Sequence, residues 1–180
     1  MGNAFRWSMA KIYYSKRREV ITTPFESLLD IPATEIDGTL HDPLGKLLEG
    51  SKAILVVNVV SGWGMTKGSY TDLVQLYNEF KDKGFIILAF PSNSFENQEP
   101  GNEEAITAFC SSFNVQFPLF QKCLVNGPDA HPVFTYLRKN SALHNPATGE
   151  TNEVQFSWSK FLLNKEGKVV SYLEPFQFPR

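Results

Sequence analysis

The sequence predicts an α/β fold with a central sheet flanked by helices, and three stretches carry that prediction. The first is Ala53 to Val60, where Ile54, Leu55, Val56, Val57, Val59 and Val60 form a nearly continuous, largely β-branched run, as expected of a strand covered on both faces. In the second, Ser61-Gly62-Trp63-Gly64 breaks that strand, and Leu73, Leu76, Tyr77 and Phe80 then recur at helical spacing over residues 70–83, with Gly84 closing the helix. The third, Phe85 to Phe90, is a second buried strand stopped by Pro91. Strand, turn and helix together place residues 62–66 where the unpaired N–H groups and positive potential of a helix N-terminus gather.

The chain's 180 residues fit one domain with a full core, and its 42% hydrophobic and 20% charged content is ordinary for a globular protein. A net charge of −2 argues against a nucleic-acid surface covering the molecule. Cys110 and Cys123 are too few for a disulfide scaffold, so a reducing compartment is the default. His41, His131 and His144 show no metal-ligand spacing with one another or with the cysteines. No apolar run approaches the ~20 residues needed to cross a bilayer as a helix.

In chain order, residues 1–20 stand apart. Arg6, Lys11, Lys16, Arg17 and Arg18 precede the first acid, Glu19, and are interleaved with Phe5, Trp7, Ile12 and Tyr13. This basic, weakly amphipathic composition suits either a mitochondrial targeting segment or a cytoplasmic arm. The expectation is an arm over 1–24, docking through residues 1–20 onto a protein partner rather than onto its own domain, followed by a domain over 25–180. Ser27 to Leu40 reads as a short element and a strand pair around Asp37-Gly38, and Pro43 to Gly50 as one or two helical turns. Asn102 to Phe113 reads as a helix with Glu103 and Glu104 in its first turn, and His131 to Lys139 as another with Pro132 at its start. Leu162 to Val170 forms a closing hairpin around Glu166-Gly167.

Three separated motifs carry a resemblance. They are Ser61-Gly62-Trp63-Gly64-Met65-Thr66 after the central strand, Leu88-Ala89-Phe90-Pro91-Ser92-Asn93-Ser94-Phe95 followed by Gln98-Glu99-Pro100-Gly101, and Phe156-Ser157-Trp158-Ser159-Lys160-Phe161-Leu162. In this order they resemble the signatures of the glutathione peroxidase family, over roughly residues 25–176. The resemblance implies a thioredoxin-like fold with a central mixed sheet. The segment between His131 and Phe156 is too short for the insertion of tetrameric members, so no family-type tetramer is expected.

In that family a thiolate or selenolate attacks the peroxide O–O bond, becomes a sulfenic or selenenic acid, and is then reduced by thiol exchange. Position by position, the resemblance puts Trp63 where the nucleophile stands, Phe156 where a tryptophan donates its indole N–H, and Ser157 where an asparagine stands. Only the glutamine is kept, as Gln98. An indole is a donor only and phenylalanine has no hydrogen-bonding group. The expectation is therefore a family member without peroxidase activity, serving as a structural or interaction subunit of a larger assembly and needing no cofactor. The alternative is a weak thiol peroxidase working through Cys110, which falls where two-cysteine members carry a resolving cysteine, with glutathione or thioredoxin as reductant. Three readings of the tryptophans stay open: Trp63 as a plug filling the vacated pocket, Trp63 as a surface for an apolar ligand or partner, and Trp158 swinging in to replace the lost indole.

Overall fold

The computed structural model describes residues 17–177. Its strands are β1 (Arg18–Glu19), β2 (Ala33–Thr34), β3 (Leu40–His41), β4 (Ala53–Val59), β5 (Phe85–Pro91), β6 (Thr151–Asn152), β7 (Lys160–Asn164) and β8 (Val169–Leu173), and its helices are α1 (Thr66–Phe80), α2 (Glu103–Ser111) and α3 (Pro132–Lys139). The main sheet has the order β5-β4-β7-β8. β4 pairs parallel with β5 and antiparallel with β7, and β7 pairs antiparallel with β8, so the sheet is mixed.

The side-chain period of two along β4 sorts the core onto two faces. Ile54 and Val56 join Leu88, Phe90, Phe161 and Leu163 with Phe134 and Leu137 of α3. Leu55, Val57 and Val59 face the other way, with Tyr70 and Leu73 of α1 and Ile106 and Cys110 of α2. Central placement explains why β4 reads as an apolar run broken by Asn58 alone: from Ile54 to Val59 every residue is buried.

The short β2–β3 pair turns at Gly38 (φ 92), as its Asp-Gly signature predicts. α2 starts where Asn102 accepts a hydrogen bond from the Ala105 N–H, and α3 starts where the His131 ring accepts from the Val133 N–H. α1 begins at Thr66, four residues ahead of the predicted start at Tyr70. Its first turn, Thr66-Lys67-Gly68-Ser69, has no apolar stripe, so periodicity misses it. The buried Thr66 side chain holds that turn instead, accepting from the Trp63 N–H and donating to the Val60 carbonyl, both at 3.2 Å.

Residues 1–16 of the expected docking arm lie outside the described residues. The end of the arm packs on its own domain. β1 pairs antiparallel with β6, Arg18 lies 3.7 Å from Glu150, and Glu19 accepts from the guanidinium of Arg138 at 2.5 Å. Arg138 is fully buried on α3 and also donates to the Asn152 carbonyl at 3.2 Å. Glu19→Gln should therefore destabilise the domain, by somewhat less than the roughly 3–5 kcal/mol for breaking a fully buried pair, because Glu19 keeps some exposure. Chemical denaturation checks this, with deletion of residues 2–16 as the comparison that leaves Glu19 in place. A Glu19→Gln variant as stable as the wild type would show that the pair contributes nothing.

Candidate functional site

The site lies where the turn after β4, the loop after β5 and the turn before β7 meet. Two backbone contacts bring the first two together: Gly62 N–H donates to the Gln98 carbonyl at 2.8 Å, and Ser92 N–H donates to the Val59 carbonyl at 3.0 Å. The third is held by Asn58, whose Nδ2 donates to the Phe156 carbonyl at 3.1 Å and whose carbonyl accepts from the Trp158 N–H at 2.8 Å. A Cβ at residue 62 would sit 2.8 Å from the Gln98 oxygen, so only glycine allows this approach.

The cleft they form has a volume of about 320 Å³. Trp63, Gln98, Phe156 and Ser157, the four positions aligned from sequence, all line it, and Phe95, Glu96, Glu174, Pro175 and Phe176 complete the walls. The Trp63 indole is half-buried and tilts at 47° against Phe176, with ring centroids 6.1 Å apart. It forms a wall of the cleft and does not fill it, which answers the plug reading. Gln98 turns its amide aside, donating from Nε2 to Glu96 at 3.2 Å. The buried Ser157 hydroxyl has no hydrogen-bond partner among the described residues.

Trp158 does not replace the lost indole. Residues 156–158 form a turn and not a strand, so 156 and 158 do not share a face by alternation. Trp158 has a φ of 67, unusual for a bulky residue, and its fully buried ring meets Tyr70 edge-on at 4.9 Å. Lys160, also buried, donates to the carbonyls of Trp158 at 3.0 Å and Pro175 at 2.7 Å, tying the turn to the C-terminal wall.

Cys110 is outside the cleft lining. Its buried thiol donates to the Tyr70 hydroxyl at 3.3 Å. Burial pushes the thiol up to about 11; the Tyr70 hydrogen bond opposes this shift and the charge of Glu99 adds to it. Burial likewise pushes Cys123 up to about 12. Thiols held neutral in this way are poor nucleophiles.

Glu99 was passed over in sequence although it adjoins Gln98. It is fully buried and accepts from the Ser61 hydroxyl at 2.5 Å. Burial raises its carboxyl above the ordinary value, and the Ser61 hydrogen bond and the Lys122 charge pull the other way. Lys122 also donates to the carbonyls of Glu99 and Gly101, at 3.2 and 2.7 Å, clamping the segment that carries Gln98. The three histidines are engaged elsewhere, His41 with Glu35 at 2.6 Å, His131 at the start of α3, and His144 with Thr151 at 2.9 Å. Among the described residues no group of three or more His, Cys, Asp or Glu side chains is placed to hold a metal ion, and no helix is long and apolar enough to cross a membrane.

The family model for glutathione peroxidase matches residues 28–138. This chain belongs to the glutathione peroxidase family. It is 38% identical over 157 residues, covering 82% of this chain and 89% of the relative, to "Probable phospholipid hydroperoxide glutathione peroxidase" of Mesembryanthemum crystallinum. It is 40% identical over 157 residues, covering 82% and 91%, to "Glutathione peroxidase 1" of Helianthus annuus. Among solved structures, Trgpx in apo form is similar with a TM-score of 0.64 at 29% identity, over 85% of this chain and 88% of that one. T. cruzi GPX1 gives a TM-score of 0.63 at 28% identity, over 83% and 87%. The family and the thioredoxin-like fold expected from the motifs are thus both established, and the four aligned positions lie together in one cleft of that fold.

Two predictions follow from the buried groups. With its thiol at about 11, Cys110 carries a thiolate fraction on the order of 10⁻⁴ at pH 7, so iodoacetamide should label it slowly in the native protein and rapidly in guanidinium. Peptide mass spectrometry reads the difference, and fast native labelling would show that the Tyr70 contact opens. Burial also lowers Lys160 to about 8, against the opposing charge of Asp72, whereas an unfolded lysine titrates at about 10.4. Between these values the unfolded chain binds more protons, so the Lys160 contribution is fully present above the unfolded value and is lost as pH falls through about 8. The stability difference between wild type and Lys160→Met should grow in favour of wild type as denaturation is moved from neutral to alkaline pH. A difference that stays flat with pH would contradict the assignment.

Proposed function

We propose that this glutathione peroxidase-family chain has lost peroxide turnover and serves as an interaction subunit of a larger protein assembly. One observation carries the reading: the position aligned with the nucleophile holds an indole, and no thiol lines the cleft among the described residues. Peroxide reduction here needs a thiolate or selenolate within reach of the O–O bond, and Trp63 has no lone pair to attack with. Loss of a nucleophile in other enzymes costs on the order of 10⁶ in turnover. Phe156 removes a donor and Ser157 shortens the reach of an amide. Neither glutathione nor thioredoxin then has an oxidised sulfur to reduce, so the chain works without a cofactor. Residues 1–16 are proposed as the docking arm, in a mitochondrial or cytoplasmic setting. Relatives from Arabidopsis thaliana include one named as mitochondrial and one as chloroplastic.

The alternative, a peroxidase working through Cys110, needs the buried thiol to leave Tyr70 and ionise. Turnover of hydrogen peroxide and of a lipid hydroperoxide, with glutathione and with thioredoxin as reductant, should stay at background for wild type and Cys110→Ser alike. Activity in wild type that vanishes in Cys110→Ser would overturn the proposal. Trp63→Cys alone should remain near background, and Trp63→Cys with Phe156→Trp and Ser157→Asn should exceed every single change, because residues that act as one unit are strongly non-additive.

A further inference from the structure

The edge along which β1 runs continues past the end of their pairing. β1 pairs antiparallel with β6, Arg18 opposite Asn152 and Glu19 opposite Thr151, and the Glu153 N–H donates to the Arg17 carbonyl at 3.3 Å. In an antiparallel pair the hydrogen-bonded positions recur every second residue, so the next one sets residue 15 opposite Gln155. Val154 is held from the other side, its N–H donating to Asn126 Oδ1 and its carbonyl accepting from Asn126 Nδ2, both at 2.8 Å. By alternation Gln155 turns its backbone to the β1 side, where its N–H and carbonyl enter no hydrogen bond among the described residues. Side chains alternate in the same way. Glu19 points inward to the buried Arg138, and Arg18 reaches outward to Glu150. Arg17 lines a groove of about 380 Å³ with Phe95, Leu124, Glu153 and Gln155. Phe95 also lines the cleft, so groove and cleft adjoin.

We propose that residues 13–16 of this chain lengthen β1 along this edge, with Ser15 pairing to Gln155 and the Tyr13 ring seated at the mouth of the cleft. Ser15 and Tyr13 fall on the inward face with Arg17 and Glu19, and Lys16 and Tyr14 on the outward face with Arg18. The bend at Phe156 ends the edge, so Tyr13 lies just past it, roughly 7 Å beyond Ser15. Charge suits the same occupant. Residues 1–16 carry Arg6, Lys11 and Lys16 and no acid. The edge carries Glu150 and Glu153, and Glu153 stands in no ion pair among the described residues. Leu124, which is exposed, and Phe95 give the groove an apolar floor, against which a tyrosine can bury its ring while its hydroxyl stays in water. The proposal rests on the reading of residues 1–16 as a docking arm and names where that arm sits when no partner holds it. Capture by a partner then peels the added strand from its own domain and uncovers the cleft.

The test traps the register in the full chain. Residues that face one another at a hydrogen-bonded position stand about 5.5 Å apart between Cα atoms, within the range that a disulfide spans. Mild oxidation of Ser15→Cys with Gln155→Cys should therefore give an intramolecular disulfide, read by non-reducing peptide mass spectrometry of the monomer. Lys16→Cys with Gln155→Cys, its thiol on the outward face, should not. A link between two chains would seat the arm of a second copy, and equal trapping from residues 15 and 16 would show a tail without register; either result overturns the proposal. Amide exchange of Gln155, followed by NMR, reads the same pairing without new cysteines. Deletion of residues 2–16 and Ser15→Pro, which removes a strand donor, should each speed that exchange about tenfold, and Ser15→Ala should leave it unchanged. Exchange as fast in the full chain as in the deletion overturns the seat. Co-purification with the assembly reports separately: a chain captured through residues 1–16 that shows no protection at Gln155 loses the seat and keeps the docking arm.

Discussion

The hydrogen bond from Gly62 N–H to the Gln98 carbonyl, 2.8 Å long, is the constraint on which the site depends. It joins the exit of the central strand to the loop that leaves β5, and no side chain fits between them. With that contact fixed, Trp63 must project beside Gln98, and Thr66 must start α1 beneath both. The parallel β4–β5 pairing brings the two segments within reach, with Val59 opposite Pro91. Sheet geometry and cleft geometry are therefore one problem.

What could be read from the sequence was what the sheet buries. β4 and β5 betray themselves through nearly unbroken apolar runs because both their faces are covered, and the hairpins around Asp37-Gly38 and Glu166-Gly167 follow from turn chemistry, with Gly38 at φ 92 and Gly167 at φ 71. The four aligned cleft positions were placed by the resemblance to the family signatures, Trp63 after β4, Gln98 after β5, and Phe156 and Ser157 before β7. The start of α1 could not, since its anchor is a single threonine hydroxyl and no pattern. The position of Trp158 could not be read either, because a left-handed residue breaks alternation, and nothing in Ser157-Trp158-Ser159 announces it. Glu174, Pro175 and Phe176 are tied to the turn before β7 by the buried Lys160 side chain, a contact between residues 15 apart in sequence, and no motif announces it. The pairing of Arg18 and Glu19 with the domain was equally hidden, because its partners lie more than a hundred residues downstream.

The two faces of the sheet also divide the chemistry. Cys110, Tyr70 and Trp158 lie together in the apolar layer under α1 and α2, where burial holds the thiol and the phenol neutral. Trp63, Phe156, Glu96 and Glu174 line the cleft instead. The Cys110 sulfur, held in the first setting, acts as a small packing group.

The frame around the cleft is drawn largely by main-chain atoms: Gly62 and Gln98, Ser92 and Val59, Trp158 and Asn58, with the Asn58 and Lys160 side chains reaching further carbonyls. None of these contacts uses the side chains of residues 63, 156 or 157, so those side chains can be exchanged while the frame stays in place. In the language of codons, the distances to the family pattern are unequal. The lone tryptophan codon differs from either cysteine codon by a single base, while phenylalanine and tryptophan differ by two. A lineage holding this fold thus stands one point mutation from a thiol at residue 63, but farther from the indole donor at 156 that such a thiol would be paired with.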